Sequence, residues 1–131
     1  MNHIFLNFED VVSIHDAQVE DHGGAPGIRD AGMLMSALAS PQQTFGGQFL
    51  HATLFDQAAA YLFHIARNHA FVDGNKRTAW VSCMAFLEVN GVETSVTFDV
   101  AACEVFVYEV AEGKHEKDFI AQWLKALLEQ K

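Results

Sequence analysis

The run from His69 to Ala79 brings together the side chains of this chain that are best suited to chemistry. It reads His-Ala-Phe-Val-Asp-Gly-Asn-Lys-Arg-Thr-Ala and leads directly into an apolar helical stretch. The first turn of a helix presents unpaired backbone N–H groups and the positive end of the helix dipole. With Lys76 and Arg77 in that turn, and Gly74 allowing close approach, the run suits a phosphate group. His69 then lies where it can act as general base on a hydroxyl, which indicates phosphoryl or nucleotidyl transfer.

The same residue types leave a structural alternative open. Junctions between a loop and a helix often contain a glycine, an asparagine and basic residues, so the run also fits a plain turn. In a chain with seven histidines, one at a helix end ordinarily just hydrogen-bonds a carbonyl group. Phe71 fits a core position, and Asp73 fits the N-cap of the following helix. Lys76 and Arg77 fit a solvated helix start.

Two stretches of the chain carry a resemblance to a known family. The run at His69 resembles the HxFxxGN[G/K]R signature of the Fic/Doc (Fido) superfamily, and the Lys76 form is similar to its death-on-curing (Doc) branch. Upstream, residues 23–30 read GGAPGIRD and resemble the GGxPGIRD loop of Doc-type proteins. The similarity extends over most of the chain, roughly from Phe8 to Val100.

The resemblance implies roles for the residues of the run. His69 would be the catalytic base, Phe71 the anchor of the loop, and Asp73 the ligand of Mg²⁺ bound with ATP, a role that suits a hard oxygen ligand. The phosphate-binding nest would consist of Gly74, Asn75, Lys76 and Arg77.

The upstream loop is rich in glycine and proline beyond the needs of a helix connection. Because functional residues concentrate on loops held by rigid elements, we expect it to border the active site and position the protein target. Its docking residues would be Ile28, Arg29 and Asp30. The alternative is a plain turn in which Arg29 and Asp30 form only a loop-to-helix ion pair.

Two departures from the Fic pattern favour one reaction over another. Fic enzymes that transfer AMP typically read HPFxxGNGRxxR, whereas here Lys76 replaces the second glycine and Trp80 the last arginine. Doc-type proteins share both features. The resemblance therefore implies a kinase that moves the γ-phosphate of ATP to a Ser/Thr hydroxyl, the target being elongation factor Tu. AMP transfer and a catalytically silent binding module remain the alternatives.

Fic proteins are often inhibited by their own (S/T)xxxE(G/N) segment, and this chain lacks one. Glu112 and Gly113 are preceded by Tyr108 at the position of the Ser or Thr. The resemblance implies a toxin of a type II toxin–antitoxin system, restrained by a separate antitoxin whose C-terminal segment folds onto the toxin.

Length, composition and charge bear on the number of domains, the class of partner and the location of the protein. The 131 residues suit a single domain over 1–131, and the net charge of −9 argues against direct nucleic-acid binding. Cys83 and Cys103 have apolar neighbours and no metal-ligand spacing, so we expect two buried free thiols. The N-terminal residues show no secretion signal, and no segment is long and apolar enough for a membrane span, so a cytoplasmic location is expected.

Hydrophobic periodicity predicts an all-α fold, and the resemblance implies the Fido helical fold. We expect about six helices. Their approximate bounds are Phe8 to Glu20, a helix after Asp30 through Ser40, Ala52 to Asn68, Gly74 to Val89, a helix after Thr97 to Glu112, and Glu116 to the C-terminus. Asp30 and Thr97 would cap the second and fifth helices, and Pro41 would end the second. The fourth helix carries no charge between Arg77 and Glu88, so it should lie at the centre, surrounded by the others. Gln42 to Gln48 reads as irregular.

Overall fold

The computed structural model describes residues 3–129, and this part of the chain is built almost entirely from helices. The six α-helices are α1 (Phe8–His22), α2 (Ala31–Ala39), α3 (Leu54–Asn68), α4 (Asn75–Val89), α5 (Val100–Ala111) and α6 (Lys117–Leu128). The predicted all-α fold is therefore confirmed. The predicted boundaries agree to within about two residues at most helix ends.

Local side-chain caps explain where several helices begin. Asn7 and Asp10 form a reciprocal capping box at the start of α1, with Asn7 Oδ1 accepting from the Asp10 N–H at 2.8 Å. Asp30 caps α2 as predicted, accepting from the Met33 N–H at 3.0 Å. The predicted cap of α5 is wrong, because Asp99 rather than Thr97 accepts the N–H of the first turn.

The segment between α2 and α3 is more regular than predicted. Pro41 does not simply end α2, because a short 3₁₀-helix, Ser40–Gln42, continues from it. Two short antiparallel strands, β1 (Thr44–Phe45) and β2 (Gln48–Phe49), then form a hairpin. Gly46 and Gly47 form its turn, both with positive φ, as a tight hairpin turn requires. The interpretation of residues 42–48 as irregular is therefore wrong.

Helices α3 and α4 share the centre of the core. Helix α3 buries five consecutive side chains, from Ala58 to Leu62, because other helices pack on several of its faces. Helix α4 buries one face, formed largely by Ala79, Cys83, Phe86 and Leu87. Its other apolar side chains are half-buried, apart from the exposed Val89. Its uncharged stretch therefore reflects packing against α3 on one side and a partly open groove on another.

Both cysteine side chains lie in buried positions of the structure. Cys83 and Cys103 are free and buried, as expected, and burial raises the pKa of both thiols. No helix between residues 3 and 129 has the length and apolar character needed to cross a bilayer. The segment of chemical interest lies between the end of α3 and the start of α4, at one end of the central helix pair.

Candidate active site

His69 ends α3 in an unusual backbone conformation. Its φ of 51° and ψ of 44° are left-handed, and it is the only non-glycine residue with positive φ among those the structure describes. Such residues cost free energy and persist where their surroundings hold them, often at functional sites. Here the Arg29 guanidinium provides the restraint, its Nε donating to the His69 carbonyl oxygen at 2.7 Å. The imidazole itself is exposed.

The two stretches that carry the family resemblance lie side by side. The Arg29 and Asp30 N–H groups donate to the Ala70 carbonyl at 2.7 and 3.0 Å, and the Val72 N–H donates to the Gly27 carbonyl at 3.1 Å. An antiparallel β-bridge joins the residues between them, Ile28 and Phe71. The loop of residues 25–30 therefore borders the loop of residues 69–74, and Ile28 remains partly exposed there.

The ion-pair interpretation of Arg29 and Asp30 does not hold. Within residues 3–129 neither side chain forms a salt bridge. Arg29 instead bonds the last carbonyl groups of α3, and Asp30 caps α2. Both residues thus have structural partners, which leaves Ile28 as the member of the predicted docking set with an uncommitted side chain.

Asn75 closes the loop onto itself. Its side-chain Oδ1 accepts from the Phe71 N–H and its Nδ2 donates to the Phe71 carbonyl, both at 3.0 Å. The Phe71 ring is 1% exposed and lies in the core. The side-chain amide of Asn75 is therefore committed to the loop, and Asn75 can face an anion only through its backbone N–H group.

Asp73 presents an ionised carboxylate at the start of α4. The Gly74 N–H donates to Oδ1 at 2.8 Å and the Ala25 N–H to Oδ2 at 3.3 Å. These two bonds, helped by the charges of Arg77 and Lys76, lower the pKa of Asp73 below its ordinary value. Asp73 is not the N-cap residue of α4, since that position belongs to Gly74, which has a left-handed backbone and supplies no side-chain cap.

The first turn of α4 combines open backbone donors with two exposed cations. No side chain in the described part of the chain caps this turn. Lys76 and Arg77 are exposed, and neither belongs to a salt bridge within residues 3–129. The Lys76 ammonium lies 5.0 Å from the centroid of the Tyr108 ring, a cation–π contact that holds it beside α5. This arrangement suits a phosphate group.

A groove of about 570 Å³ begins at this turn and runs between α1, α4 and α5. Its polar end is formed by Asp73, Gly74, Asn75, Lys76 and Arg77, and its lining continues with Gln18, His22, Trp80, Val81, Phe98, Val100, Cys103, Glu104, Val107 and Tyr108. His69 and the loop of residues 25–30 are not part of the lining. The sequence reasoning missed the α1 and α5 residues, because they belong to no motif and reach the groove only through helix packing.

Asp73 is the carboxylate at the start of α4 that could contribute to a metal site. The residues described contain no group of three or more His, Cys, Asp and Glu side chains that could hold a metal ion. Mg²⁺ is usually bound through one or two carboxylates, substrate phosphates and several waters. Asp73 therefore fits a Mg²⁺ ion that arrives with a nucleotide, and does not by itself form a preformed metal site.

Comparison with known proteins identifies the family of this chain. A family model described as the Fic/DOC family matches residues 5–87. The "Toxin Doc" of Mycolicibacterium smegmatis (strain ATCC 700084 / mc(2)155) is 44% identical over 117 residues, covering 89% of this chain and 88% of that protein. The "Protein kinase doc" of Escherichia phage P1 is 34% identical over 111 residues, covering 79% of this chain and 87% of that protein. The resemblance read from the two loops is thereby confirmed, and the chain belongs to the Fic/DOC family.

Proposed function

We propose that this protein is a Doc-type toxin that transfers the γ-phosphate of ATP to a Ser/Thr hydroxyl of a cytoplasmic protein, elongation factor Tu being the expected target. The observation that carries the proposal is the start of α4. There a helix turn without a side-chain cap in the described residues, two cations without a salt bridge in residues 3–129, and an ionised carboxylate meet at one end of a groove. The names of the two relatives, a toxin and a protein kinase, support it.

Phosphate binding would use backbone and side-chain groups together. The open N–H groups of the first turn of α4, with Gly74 leaving room for close approach, receive the phosphate oxygens. Lys76 and Arg77 supply the positive charge that offsets the charge of the polyphosphate. The chain has a net charge of −9, yet Lys76 and Arg77, neither of which has a salt bridge within residues 3–129, lie at the same end of one groove.

Asp73 would hold the Mg²⁺ that accompanies the nucleotide. That ion, when bound, reduces the repulsion between phosphate oxygens. The chain contributes a carboxylate that stays charged at neutral pH, because backbone N–H groups and neighbouring cations lower the pKa of Asp73. Each carboxylate oxygen uses one lone pair on a backbone N–H and keeps another for a ligand.

Transfer would then need a base at the acceptor hydroxyl. The hydroxyl oxygen attacks the γ-phosphorus, the bond from that phosphorus to the bridging oxygen breaks, and ADP leaves. The hydroxyl proton passes to His69, whose exposed imidazole suits this role. We place the nucleotide in the groove and the acceptor on the side of His69 and Ile28, neither of which lines the groove.

Phosphate rather than AMP transfer follows from two residues at the polar end of the groove. The Lys76 side chain would fill space that the glycine typical of AMP-transferring Fic enzymes would leave open. Trp80, one turn further along α4, supplies no second arginine for another phosphate group. With no self-inhibitory segment in the sequence, we further propose that an antitoxin restrains the protein through a C-terminal segment.

In the deciding experiment, the protein is incubated with ATP labelled at either the γ-phosphate or the α-phosphate. The acceptor is purified elongation factor Tu in one set of reactions and a cytosolic extract in the other. We expect label from the γ-phosphate to appear on the acceptor protein and label from the α-phosphate not to. His69→Ala is the control for chemistry by this site. Transfer of the α-phosphate label would replace the kinase with an AMP transferase, and transfer of neither label would contradict an enzymatic function.

A further inference from the structure

A buried histidine that the proposed reaction does not use lies directly beneath the phosphate-binding loop. His15, in the middle of α1, is 1% exposed. Its Nε2 is 2.7 Å from the Asp73 carbonyl oxygen, although 58 residues separate the two in sequence. Because a carbonyl oxygen can only accept, Nε2 carries the hydrogen, and this contact selects the tautomer of the ring.

The same ring also packs against Phe71 and lies close to Gly74. It stacks on Phe71 with the ring centroids 3.9 Å apart and the planes 8° from parallel. At Gly74, a Cβ atom would lie 3.6 Å from His15 Cδ2 and Nε2, in ordinary van der Waals contact. One side chain of α1 thus contacts the loop at Phe71 and Asp73 and lies close to Gly74.

We propose that His15 is a positioning residue, which holds the Asp73–Gly74 peptide so that the Asp73 carboxylate and the open turn of α4 face the groove. The carbonyl of Asp73 lies outside α4, whose first helical hydrogen bond runs from the Thr78 N–H to the Gly74 carbonyl at 3.0 Å. His15 supplies the donor that the helix does not. Because the ring is buried, it acts through the loop and not on a substrate.

The part of this inference that concerns transfer rests on the proposed function. The part that concerns the loop does not, because amide exchange at the loop can be measured without nucleotide. A local structural role predicts a local loss of order at the loop when the donor is removed. A merely general contribution of His15 to the core predicts lower stability with the loop unchanged.

A matched pair of substitutions separates the hydrogen bond from the bulk of the side chain. His15→Gln keeps an N–H donor on a side chain long enough to reach the Asp73 carbonyl, whereas His15→Met has similar length and no donor. His115 provides the control, since it also stacks on a phenylalanine, Phe106, at 4.9 Å and hydrogen-bonds a partner, Glu109, at 2.9 Å. Its Gln and Met variants change a comparable histidine away from the loop.

Two quantities are measured: phosphate transfer, with kcat separated from the KM for ATP, and amide hydrogen exchange at Phe71 and Gly74 without nucleotide. For His15→Met we expect kcat to fall about 10- to 100-fold and both amides to exchange faster, since a small misplacement of a site costs about that much. His15→Gln should stay within a few fold of wild type. Both His115 variants should leave kcat and the two amides unchanged.

Equal behaviour of His15→Met and His15→Gln in both measurements would overturn the proposal. Should His15→Met fail to fold, His15→Asn takes its place, because its amide is too short to reach the Asp73 carbonyl, and the same comparison with His15→Gln decides. If the wild-type protein transfers no phosphate, the proposed function fails, whereas the exchange at Phe71 and Gly74 still tests the hold of His15 on the loop.

Discussion

Helices α3 and α4 have the same length and pack against each other, yet they begin in opposite ways. Thr53 and Asp56 close the start of α3 with a capping box, at 3.1 Å from the Asp56 N–H to Thr53 Oγ1 and 3.2 Å from the Thr53 N–H to Asp56 Oδ2. Gly74 opens α4, and no side chain within residues 3–129 caps this start. One start satisfies its own donors, and the other leaves them for a ligand, at a cost in local stability.

The open start is held in place by distant parts of the chain. The Ala25 N–H and the His15 ring bond Asp73, and Arg29 bonds the end of α3 just before the loop. The closed start of α3 needs no such help, because its cap bonds span three residues. The comparison suggests that changes at the start of α4 affect chemistry, whereas changes at the start of α3 affect stability.

The largest effect is expected from His69. His69→Ala should lower phosphate transfer about 10²- to 10⁴-fold, the range for loss of a general base, and abolish toxicity in growing cells. Folding should survive because the side chain is exposed. His69→Asn is the matched control for backbone strain, since asparagine tolerates the left-handed conformation but is no base. Wild-type transfer by either folded variant would remove His69 from the mechanism.

The cations at the open start come next. Arg77→Ala and Lys76→Ala should each weaken binding of a non-hydrolysable ATP analogue with Mg²⁺, by up to a few kcal/mol, because a preorganised charge is lost from the phosphate site. Lys125→Ala, on the exposed part of α6, controls for the change in net charge. Calorimetry measures the affinities. Unchanged binding in both variants, with Lys125→Ala equal to wild type, would mean that the nucleotide phosphates lie elsewhere.

A smaller loss should follow from Gly24→Ala. A Cβ atom there would lie 2.8 Å from Asp73 Oδ2, too close for both to remain in place. We expect the carboxylate to shift and the Mg²⁺ concentration for half-maximal transfer to rise roughly 10-fold. Gly23→Ala is the control, because its φ is also positive and a Cβ meets nothing within 4 Å. Equal Mg²⁺ dependence of the two variants would argue against a metal role for Asp73.

The two starts also differ in how much of them the sequence revealed. Caps whose donor and acceptor lie three residues apart, as at Asn7 and Asp30, were predictable because the interaction is local. Thr97 and Asp99 lie two residues apart, and each carries a side-chain oxygen that could cap α5. Which of them is the N-cap depends on how α5 packs. The turn at Gly46–Gly47, between residues that favour strands, was a readable hairpin signal that the sequence analysis passed over.

The groove, and the contacts that fix the loop before α4, could not be predicted from the sequence. The residue types from His69 to Arg77 indicated a phosphate site, and the structure brings Asp73 to Arg77 together at one end of a groove. The partners that shape this end are far apart in sequence, as with Tyr108 beneath Lys76 and His15 beneath Asp73. Such contacts arise from helix packing, which no local pattern encodes.

Substitution at the capped start of α3 should change the free energy of unfolding and leave phosphate transfer unchanged. Thr53→Ala removes the acceptor for the Asp56 N–H and should lower the free energy of unfolding by about 1 kcal/mol. Transfer per folded molecule should stay at the wild-type value. Thr53→Ser, which keeps the hydroxyl, is the matched control. Denaturant unfolding and the transfer assay on the same samples check both statements, and a loss of transfer without a loss of stability would break the contrast between the two helix starts.

An effect of similar size on stability, with none expected on transfer, concerns the pH dependence of folding through His64 in the body of α3. Burial, and then the nearby Lys117 ammonium, lower the pKa of His64 to about 4 from an ordinary value of 6.5. Unfolded chains therefore take up a proton at His64 as the pH falls through 6.5, whereas folded chains do so only near 4. Stability should fall across this window, by about 1 kcal/mol after allowing for the solvent that reaches the ring. His64→Gln should flatten this part of the curve of unfolding free energy against pH, and an equally steep curve in the variant would assign the acid sensitivity to another group.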